Sequence, residues 1–240
     1  DKIDIVYEDE NILLVDKPVG MVVHEDESGD SDTLINRIKS YLYHKGEYRP
    51  ENELSFAPAL CNRIDRNTCG IVIAAKNAES LRILNQKIRD RELTKLYLCI
   101  ACGKVTPDSA TLTAYLEKNS DTNTVKISDK KTKSNLTIKT KYKVIAYNGE
   151  NSLLKVDLLT GRTHQIRAHL AYIGHALLGD GKYGNNKLNK KYGFKYQALC
   201  SYELHFKFTT DAGCLSYLDG KCFKAKAPDF VKMFGSNIKL

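Results

Sequence analysis

Residues 61–77 read CNRIDRNTCGIVIAAKN and join a charged loop to a short apolar run. The run GIVIAAK (70–76) follows the loop directly and is typical of a strand buried on both faces. Asp65 lies between Arg63 and Arg66, just before this run. Loops that enter buried strands often present active-site residues, so Asp65 is a candidate catalytic carboxylate. The alternative is an ion pair of Asp65 with Arg63 or Arg66, which contributes little if it is exposed.

Alternation of apolar and polar residues predicts strands on both sides of this stretch. The predicted strands lie within 3–18 (two strands joined by a turn at 9–11), 94–103, 135–147, 152–161 and 198–208. The polar, lysine-rich segment 118–135 predicts a mobile hairpin or loop. Strands outnumber helices and many connections are short. The predicted fold class is therefore α+β, with a largely antiparallel sheet flanked by helices and loops.

Three helices are predicted from apolar residues at helical spacing, with Asp32, Asn77 and Thr163 as their N-caps. In the second helix Leu81, Leu84 and Ile88 form the apolar stripe, and Lys87 is expected on another face. The segment 227–234 predicts a last helical turn.

The chain has 240 residues and a formal net charge of +8, with a pI of about 9.0. This charge favours a polyanionic partner such as a nucleic acid, although many proteins with such a pI bind none. No apolar run approaches the roughly 20 residues of a membrane span, and no signal segment begins the chain, so a cytoplasmic protein without membrane association is predicted. Because the chain begins with Asp1, it is expected to be part of a longer protein.

Metal chemistry is not predicted. Cys99 and Cys102 have CxxC spacing, but no second CxxC or histidine pair accompanies them, and small buried thiols are the expected role. His164 and His169 are five residues apart, which is poor spacing for two ligands on one helix face. The seven cysteines are expected to be reduced.

Three further polar residues are candidates for a site. Arg162 and Arg167 flank a predicted helix N-terminus, where anions and phosphates bind readily, although surface charge would explain both. Tyr97 is expected on the face of its strand that points away from the core. Lysines 139, 141 and 143 share one strand face, which indicates a solvated surface more than an RNA contact.

The sequence resembles one family over essentially its whole length. NRIDRNTCGIVIAAKN (62–77) is similar to the signature of the RluA-type pseudouridine synthases, and TGRTHQIRAHLAYIGHALLGDGKYG (160–184) is similar to their second signature. The opening strands (7–24), the tyrosine strand (93–103) and the closing segments also resemble the family. The resemblance implies a single pseudouridine synthase catalytic domain over residues 1–240, which isomerises uridine to pseudouridine in structured RNA without a cofactor or metal.

The resemblance also implies a role for each matched residue. Asp65 matches the catalytic aspartate, Tyr97 the tyrosine that packs on the target base, and Arg167 the arginine that pairs with the aspartate. Arg63 matches an arginine that holds the nucleotide flipped out of the RNA. Arg162 and His164 are expected to shape the site or to meet the RNA backbone.

The chain departs from the family at Asn62, Cys69 and Ala176, where histidine, serine and proline are usual. None of these changes removes a reacting group, so they bear on substrate fit. An N-terminal S4 RNA-binding domain, which many relatives carry, is absent from this sequence.

The sequence leaves the RNA substrate, the oligomeric state and an alternative function open. The expected substrate is 23S rRNA, with tRNA as the alternative, and the expected state is a monomer. An RNA-binding or folding factor that uses the same scaffold without catalysis is the alternative function, and a metal-dependent nuclease is a distant third.

Overall fold

The computed structural model describes residues 2–26, 29–52 and 54–240, which form two compact units. The first unit runs to Lys95 and adds Ser201–Lys226, and the second comprises Leu96–Cys200 and Ala227–Leu240. Residues 24–32 form an acidic, polar segment that is typical of a loop, and part of it lies outside the described residues. No helix in the described part of the chain is long and apolar enough to cross a membrane.

The described residues contain strands, α-helices and 3₁₀ helices. The strands are β1 (Asp4–Glu8), β2 (Ile12–Lys17), β3 (Ala59–Leu60), β4 (Cys69–Ala75), β5 (Leu93–Cys102), β6 (Ser109–Asn119), β7 (Thr124–Ser128), β8 (Leu136–Tyr147), β9 (Asn151–Leu158), β10 (Leu199–Phe206) and β11 (Cys222–Lys224). The α-helices are α1 (Leu34–Lys45), α2 (Ala78–Arg89), α3 (Gln165–Tyr172) and α4 (Asn186–Lys191), and the 3₁₀ helices are Gly213–Leu218 and Asp229–Phe234.

In the first unit the strands follow the order β1-β2-β4-β10, with β3 beside β4 and β11 beside β10. The continuous apolar runs of β2 and β4 explain their central place, since both are buried along almost their whole length. The turn between β1 and β2 forms as predicted. Asp9 Oδ1 accepts hydrogen bonds from the backbone N–H groups of Asn11 and Ile12, at 2.8 and 2.9 Å.

In the second unit the strand order is β5-β9-β8-β6-β7, and these neighbours pair antiparallel. The polar segment 118–135 contains the predicted hairpin, which joins β6 to β7. Lysines 139, 141 and 143 are exposed on β8, as predicted. The predicted closing turn is the 3₁₀ helix at 229–234, and its Phe230 and Met233 pack on a core that includes Ile100 and Leu178.

In the first unit, the structure corrects one predicted helix cap and confirms the other. Asn77 caps α2, since its side chain accepts from the N–H of Ser80. Thr33, not Asp32, caps α1 by accepting from the N–H of Asn36 at 3.2 Å. Asp32 instead receives two hydrogen bonds of 2.6 Å from Arg37, and this contact occupies its carboxylate.

The prediction that Lys87 lies outside the buried face of α2 is wrong. Its side chain is 1% exposed, and Nζ lies 2.9 Å from Glu92 and 2.6 Å from Thr210 Oγ1. Hydrogen bonds from Thr210 and Lys87 lower the pKa of Glu92 to about 2. A long cationic side chain can therefore occupy a buried helix position, because a carboxylate and a hydroxyl from later in the chain meet it there.

Candidate active site

Asp65 lies in the loop that enters β4. Its backbone carbonyl accepts the N–H of Thr68 at 3.0 Å, which closes a turn directly before the strand. Ile64 is buried between Arg63, which is exposed, and Asp65, which is half-buried. The loop therefore presents Arg63 outward and holds Asp65 at an intermediate depth.

Buried polar groups hold this loop in place. The ammonium of Lys17, at the end of β2, is fully buried and donates to the carbonyls of Pro18, Met21 and Arg66, at 2.8, 2.8 and 3.0 Å. Burial lowers the pKa of Lys17 to about 8, while the nearby Cys69 and Asp65 oppose that shift. Three carbonyl acceptors and nearby acidic groups let an ammonium occupy this position.

Asn62 fixes the other end of the loop. Its Oδ1 accepts the N–H of Ile73 at 2.8 Å, and the side chain is buried. Asn62 thus acts as a hydrogen-bond acceptor at the position where the family usually has histidine. Its buried Nδ2 has no hydrogen-bond partner.

Arg66 contacts the acidic segment that precedes α1. Its guanidinium lies 3.2 Å from Asp26 and 3.7 Å from Asp30. The ion pair of Asp65 with Arg63 or Arg66, raised as the alternative role for this stretch, stays a prediction.

Arg167 lies on α3 and is held by Asp180. Its Nε lies 2.7 Å from Asp180 Oδ2, and Nη2 lies 3.1 Å from Oδ1. The guanidinium also lies over the ring of Tyr183, 5.3 Å from its centre. These contacts fix the plane of a side chain that is only 8% exposed.

Asp180 is itself fully buried and positioned by backbone. Its Oδ1 accepts the N–H groups of Lys182 and Tyr183 at 2.9 and 3.0 Å. Burial alone would raise the pKa of Asp180, but the hydrogen bonds and charge of Arg167, with these backbone donors, hold it below its ordinary value. Asp180 is therefore an anionic support for Arg167.

The start of α3 differs from the prediction. His164, with a left-handed φ of 53°, occupies the N-cap position and makes no side-chain capping bond, so Thr163 is not the cap. The Oε1 atom of Gln165 accepts the N–H of Arg162 at 3.1 Å and organises the turn instead. The side chain of Arg162 is exposed.

His164 is fixed by Tyr183. Its Nδ1 lies 2.8 Å from the tyrosine hydroxyl, and the two rings meet edge to face. Tyr183 in turn accepts the N–H of Val125 at 2.9 Å. The second unit thus brings together two of the predicted residues, His164 and Arg167, around a tyrosine that the sequence did not single out.

Tyr97 is buried, contrary to the expectation that it lies on an exposed strand face. It is 7% exposed and pairs with Val156 of β9. Both faces of β5 are covered in this region, since Leu98 and Cys99 are fully buried as well. Burial therefore restricts the orientations available to the Tyr97 ring.

Three supporting residues were not predicted individually, namely Lys17, Asp180 and Tyr183. Asp180 and Tyr183 lie in GDGKYG, within the quoted segment 160–184, and Lys17 lies in DKPVG, within the opening strands 7–24. A lysine directly after an apolar strand and before Pro-x-Gly was the available signal for Lys17. None of the seven cysteines, all within the described chain, forms a disulfide.

Comparison with known proteins identifies the fold and the family. The model of the RNA pseudouridylate synthase family matches residues 11–172, which include the six predicted site residues. Among solved structures, human RNA pseudouridylate synthase domain containing 4 superposes with a TM-score of 0.74 over 96% of this chain and 90% of its own, at 18% identity. Human RNA pseudouridylate synthase domain containing 1 gives 0.70 over 95% of this chain and 84% of its own, at 22% identity. The predicted α+β fold is confirmed.

Curated relatives are more similar in sequence. An uncharacterised RNA pseudouridine synthase of Mycoplasma genitalium is 39% identical over 214 residues, which are 86% of this chain and 64% of the relative. Ribosomal large subunit pseudouridine synthase D of Borreliella burgdorferi is 34% identical over 183 residues, 76% of this chain and 55% of the relative. The chain thus spans less than two thirds of the length of these two relatives. The family match and the sequence relatives agree, and the chain belongs to the RNA pseudouridylate synthase family.

Proposed function

We propose that this chain isomerises uridine to pseudouridine in structured RNA, with Asp65 as the catalytic carboxylate. The observation that carries the proposal is the family match over residues 11–172, which spans both the Asp65 loop and Arg167. The loop geometry supports it, because Lys17 and Asn62 hold the segment that carries a half-buried Asp65. Residues 1–240 would act as one catalytic domain.

The reaction breaks the N1–C1′ glycosidic bond, turns the base, and joins C5 to C1′, with loss of the C5 hydrogen as a proton and protonation of N1. Asp65 must be ionised to act as a nucleophile or base. It would add to C1′, add to the base, or assist formation of a glycal by removing a sugar proton. In the last case the hydroxyl of Tyr97 would take part, provided that it comes within about 3 Å of the proton.

The proposed partner of Asp65 is Arg167, as the family resemblance implies. An arginine in pairing distance would favour the ionised carboxylate and aim it. Asp180 supports this role, because it binds Nε and Nη2 of Arg167 and so fixes the direction of the guanidinium. Arg167 would then be a pre-oriented cation and not a mobile one.

The target base must leave the RNA stack before it can react, which costs a few kcal/mol and least in loops and bulges. Arg63 is exposed next to Asp65 and would fill the vacated space. Arg162 is also exposed and would meet the backbone, while His164 would shape the site. The net charge of +8 would add sequence-independent attraction to phosphates.

Within RNA, we propose 23S rRNA as the substrate, with tRNA as the alternative. The name of the Borreliella burgdorferi relative, a ribosomal large subunit pseudouridine synthase, supports rRNA. We further propose that the chain acts in the cytoplasm as a monomer and needs neither metal nor cofactor for this reaction.

The test is tritium release from transcripts labelled at uridine C5, with Asp65→Asn compared with the exposed control Asp211→Asn. We expect Asp65→Asn to abolish release while RNA affinity stays nearly unchanged, and the control to match the wild type. Retained turnover in Asp65→Asn would exclude the assigned role. Two results together would favour the non-catalytic RNA-binding factor. The wild type would bind total RNA without releasing tritium from it, and Asp65→Asn would complement the loss of the protein in cells.

A further inference from the structure

Three side chains with different metal-binding atoms converge on one face of the β10–β11 pair. One carboxylate oxygen of Glu203, an imidazole nitrogen of His205 and the sulfur of Cys222 all lie within 4.8 Å of one another. None of these residues belongs to the predicted catalytic set. We propose that they form a binding site for a zinc-class divalent cation.

Strand register explains why these side chains meet. Glu203 and His205 are two residues apart on β10, so they point to the same face. His205 is directly opposite Cys222 on β11, and Glu203 is opposite Lys224. The backbone bonds from Phe206 N to Lys221 O and from Ala225 N to Tyr202 O make the pair 205/222 a non-hydrogen-bonded one. In such pairs the Cα atoms approach to about 4.5 Å and the side chains come closest.

The distances suit a shared ion. Nε2 of His205 lies 2.8 Å from Glu203 Oε2 and 3.4 Å from Cys222 Sγ. Bonds of about 2.0 to 2.3 Å to a tetrahedral zinc ion place the ligand atoms about 3.3 to 3.6 Å apart. Binding of the ion would therefore open the His205–Glu203 separation by about half an ångström and hold the oxygen of Glu203 and the sulfur of Cys222, which lie within 4.8 Å of each other, at a similar spacing. One ring nitrogen faces both partners, and a cation bonded to it can also bind both.

The donor set and its charge select the kind of metal. One carboxylate, one imidazole and one thiolate form a mixed O/N/S set, which zinc-class ions prefer over magnesium or calcium. A carboxylate and a thiolate together neutralise a divalent charge. Three protein ligands leave a fourth position for water.

The surroundings of Glu203 favour a fixed ligand. Glu203 is 4% exposed, and its second oxygen, Oε1, lies 3.3 Å from the ammonium of Lys224. Oε2 is thereby turned toward His205, and Lys224 supports the carboxylate from outside the ligand set. Cys222 is exposed, which provides a route for the ion from solvent.

The experiment uses the full chain, reduced and stripped of metal with a chelator, and titrated with Co²⁺ alone. We expect one Co²⁺ per chain and a thiolate-to-cobalt charge-transfer band in the near ultraviolet. Cys222→Ser should lose the band, and His205→Gln should weaken binding about tenfold or more. Cys214→Ser, which changes a partly exposed thiol of the same unit, should retain the charge-transfer band and the affinity for Co²⁺. Circular dichroism would check that each variant is folded.

The affinity for Zn²⁺ alone, measured by competition with a chromophoric chelator, should rank the variants in the same order as Co²⁺ binding. This affinity should fall as the pH is lowered, by about tenfold per pH unit, because the thiol releases a proton on binding. Absence of a charge-transfer band in the wild type, or an equal band in Cys222→Ser, would overturn the proposal. The readout uses no RNA, so it is independent of the proposed catalytic function.

Discussion

Arg167 and Asp180 form a two-point ion pair in which Nε lies 2.7 Å from Oδ2 and Nη2 lies 3.1 Å from Oδ1. The side chains are 8% and 0% exposed. A buried pair of this kind is costly to break, because removing one partner leaves a charge without compensation. The pair therefore couples the stability of the second unit to the position of the proposed catalytic arginine.

Asp180→Asn should destabilise the protein by about 3 to 5 kcal/mol, because the buried guanidinium of Arg167 would lose the charge of the carboxylate that binds its Nε and Nη2. The matched control is Asp229→Asn, whose pair with Lys232 has the same 2.7 Å distance but side chains 86% and 80% exposed. The control should change stability by less than about 1 kcal/mol. Urea unfolding of both variants measures the difference. Equal effects would show that burial does not decide the strength of the pair.

The contribution of Asp180 to the stability of the folded protein should depend on pH. The folded-state pKa of Asp180 is lowered, so its contribution to stability is present above its ordinary pKa and is lost as the pH falls through the folded-state value. Asp180→Asn should remove that part of the acid unfolding profile.

Lys17→Met should loosen the Asp65 loop. The variant leaves the carbonyls of Pro18, Met21 and Arg66 without their ammonium donor, which costs about 1 to 3 kcal/mol, partly offset by relief of the buried charge. Hydrogen exchange should accelerate in residues 61–68. The control is Lys76→Met, which removes another lysine with a buried side chain from the same unit, one bound to Glu8 and the carbonyl of Asp9. Similar protection of 61–68 in both variants would contradict the assigned role of Lys17.

His169 should make stability depend on pH between its folded-state pKa and its unfolded-state pKa. Burial lowers its folded-state pKa to about 4, whereas the unfolded chain has the ordinary value near 6.5. The unfolded state therefore binds more protons in this window, and stability falls as the pH drops from about 6.5 to about 4, with a slope of up to one proton. His169→Gln should flatten that slope, and His44→Gln on the exposed face of α1 should not. The measurement is the free energy of unfolding of the wild type and of both variants across this pH range, and an unchanged slope in His169→Gln would contradict the prediction.

Gly70→Ala should destabilise the first unit by about 2 to 4 kcal/mol, through strain at positive φ and overpacking. Gly70 has a φ of 111°, and an added Cβ would lie 2.1 Å from the carbonyl oxygen of Ser201. Gly181→Ala is the control, because an added Cβ there meets no atom within 4 Å. Thermal unfolding compares the two, and an unchanged melting temperature for Gly70→Ala would refute the close approach.

Local patterns were sufficient for much of the secondary structure. The apolar runs of β2 and β4, the Asx turn after β1 and the Asn77 cap of α2 depend on neighbours in sequence, so the sequence by itself predicts them. The errors at Asp32 and Thr163 are also local. Several residues near a helix start can accept the same N–H groups, and a competing partner, such as Arg37 for Asp32, decides which one does.

The sequence by itself also indicated the family, because its two long segments, 62–77 and 160–184, resemble the two family signatures in the same order. Only the tertiary structure decided which polar side chains are buried and what they contact. Backbone and side chains from other segments cover Lys17, Lys87 and Tyr97. The apolar and polar pattern of their own segments does not predict this burial. Asp180 and Cys222 acquire their neighbours through helix packing and strand register. The physical reason is that burial of a charged group is tolerated only where distant residues supply its partners, and those partners come together on folding.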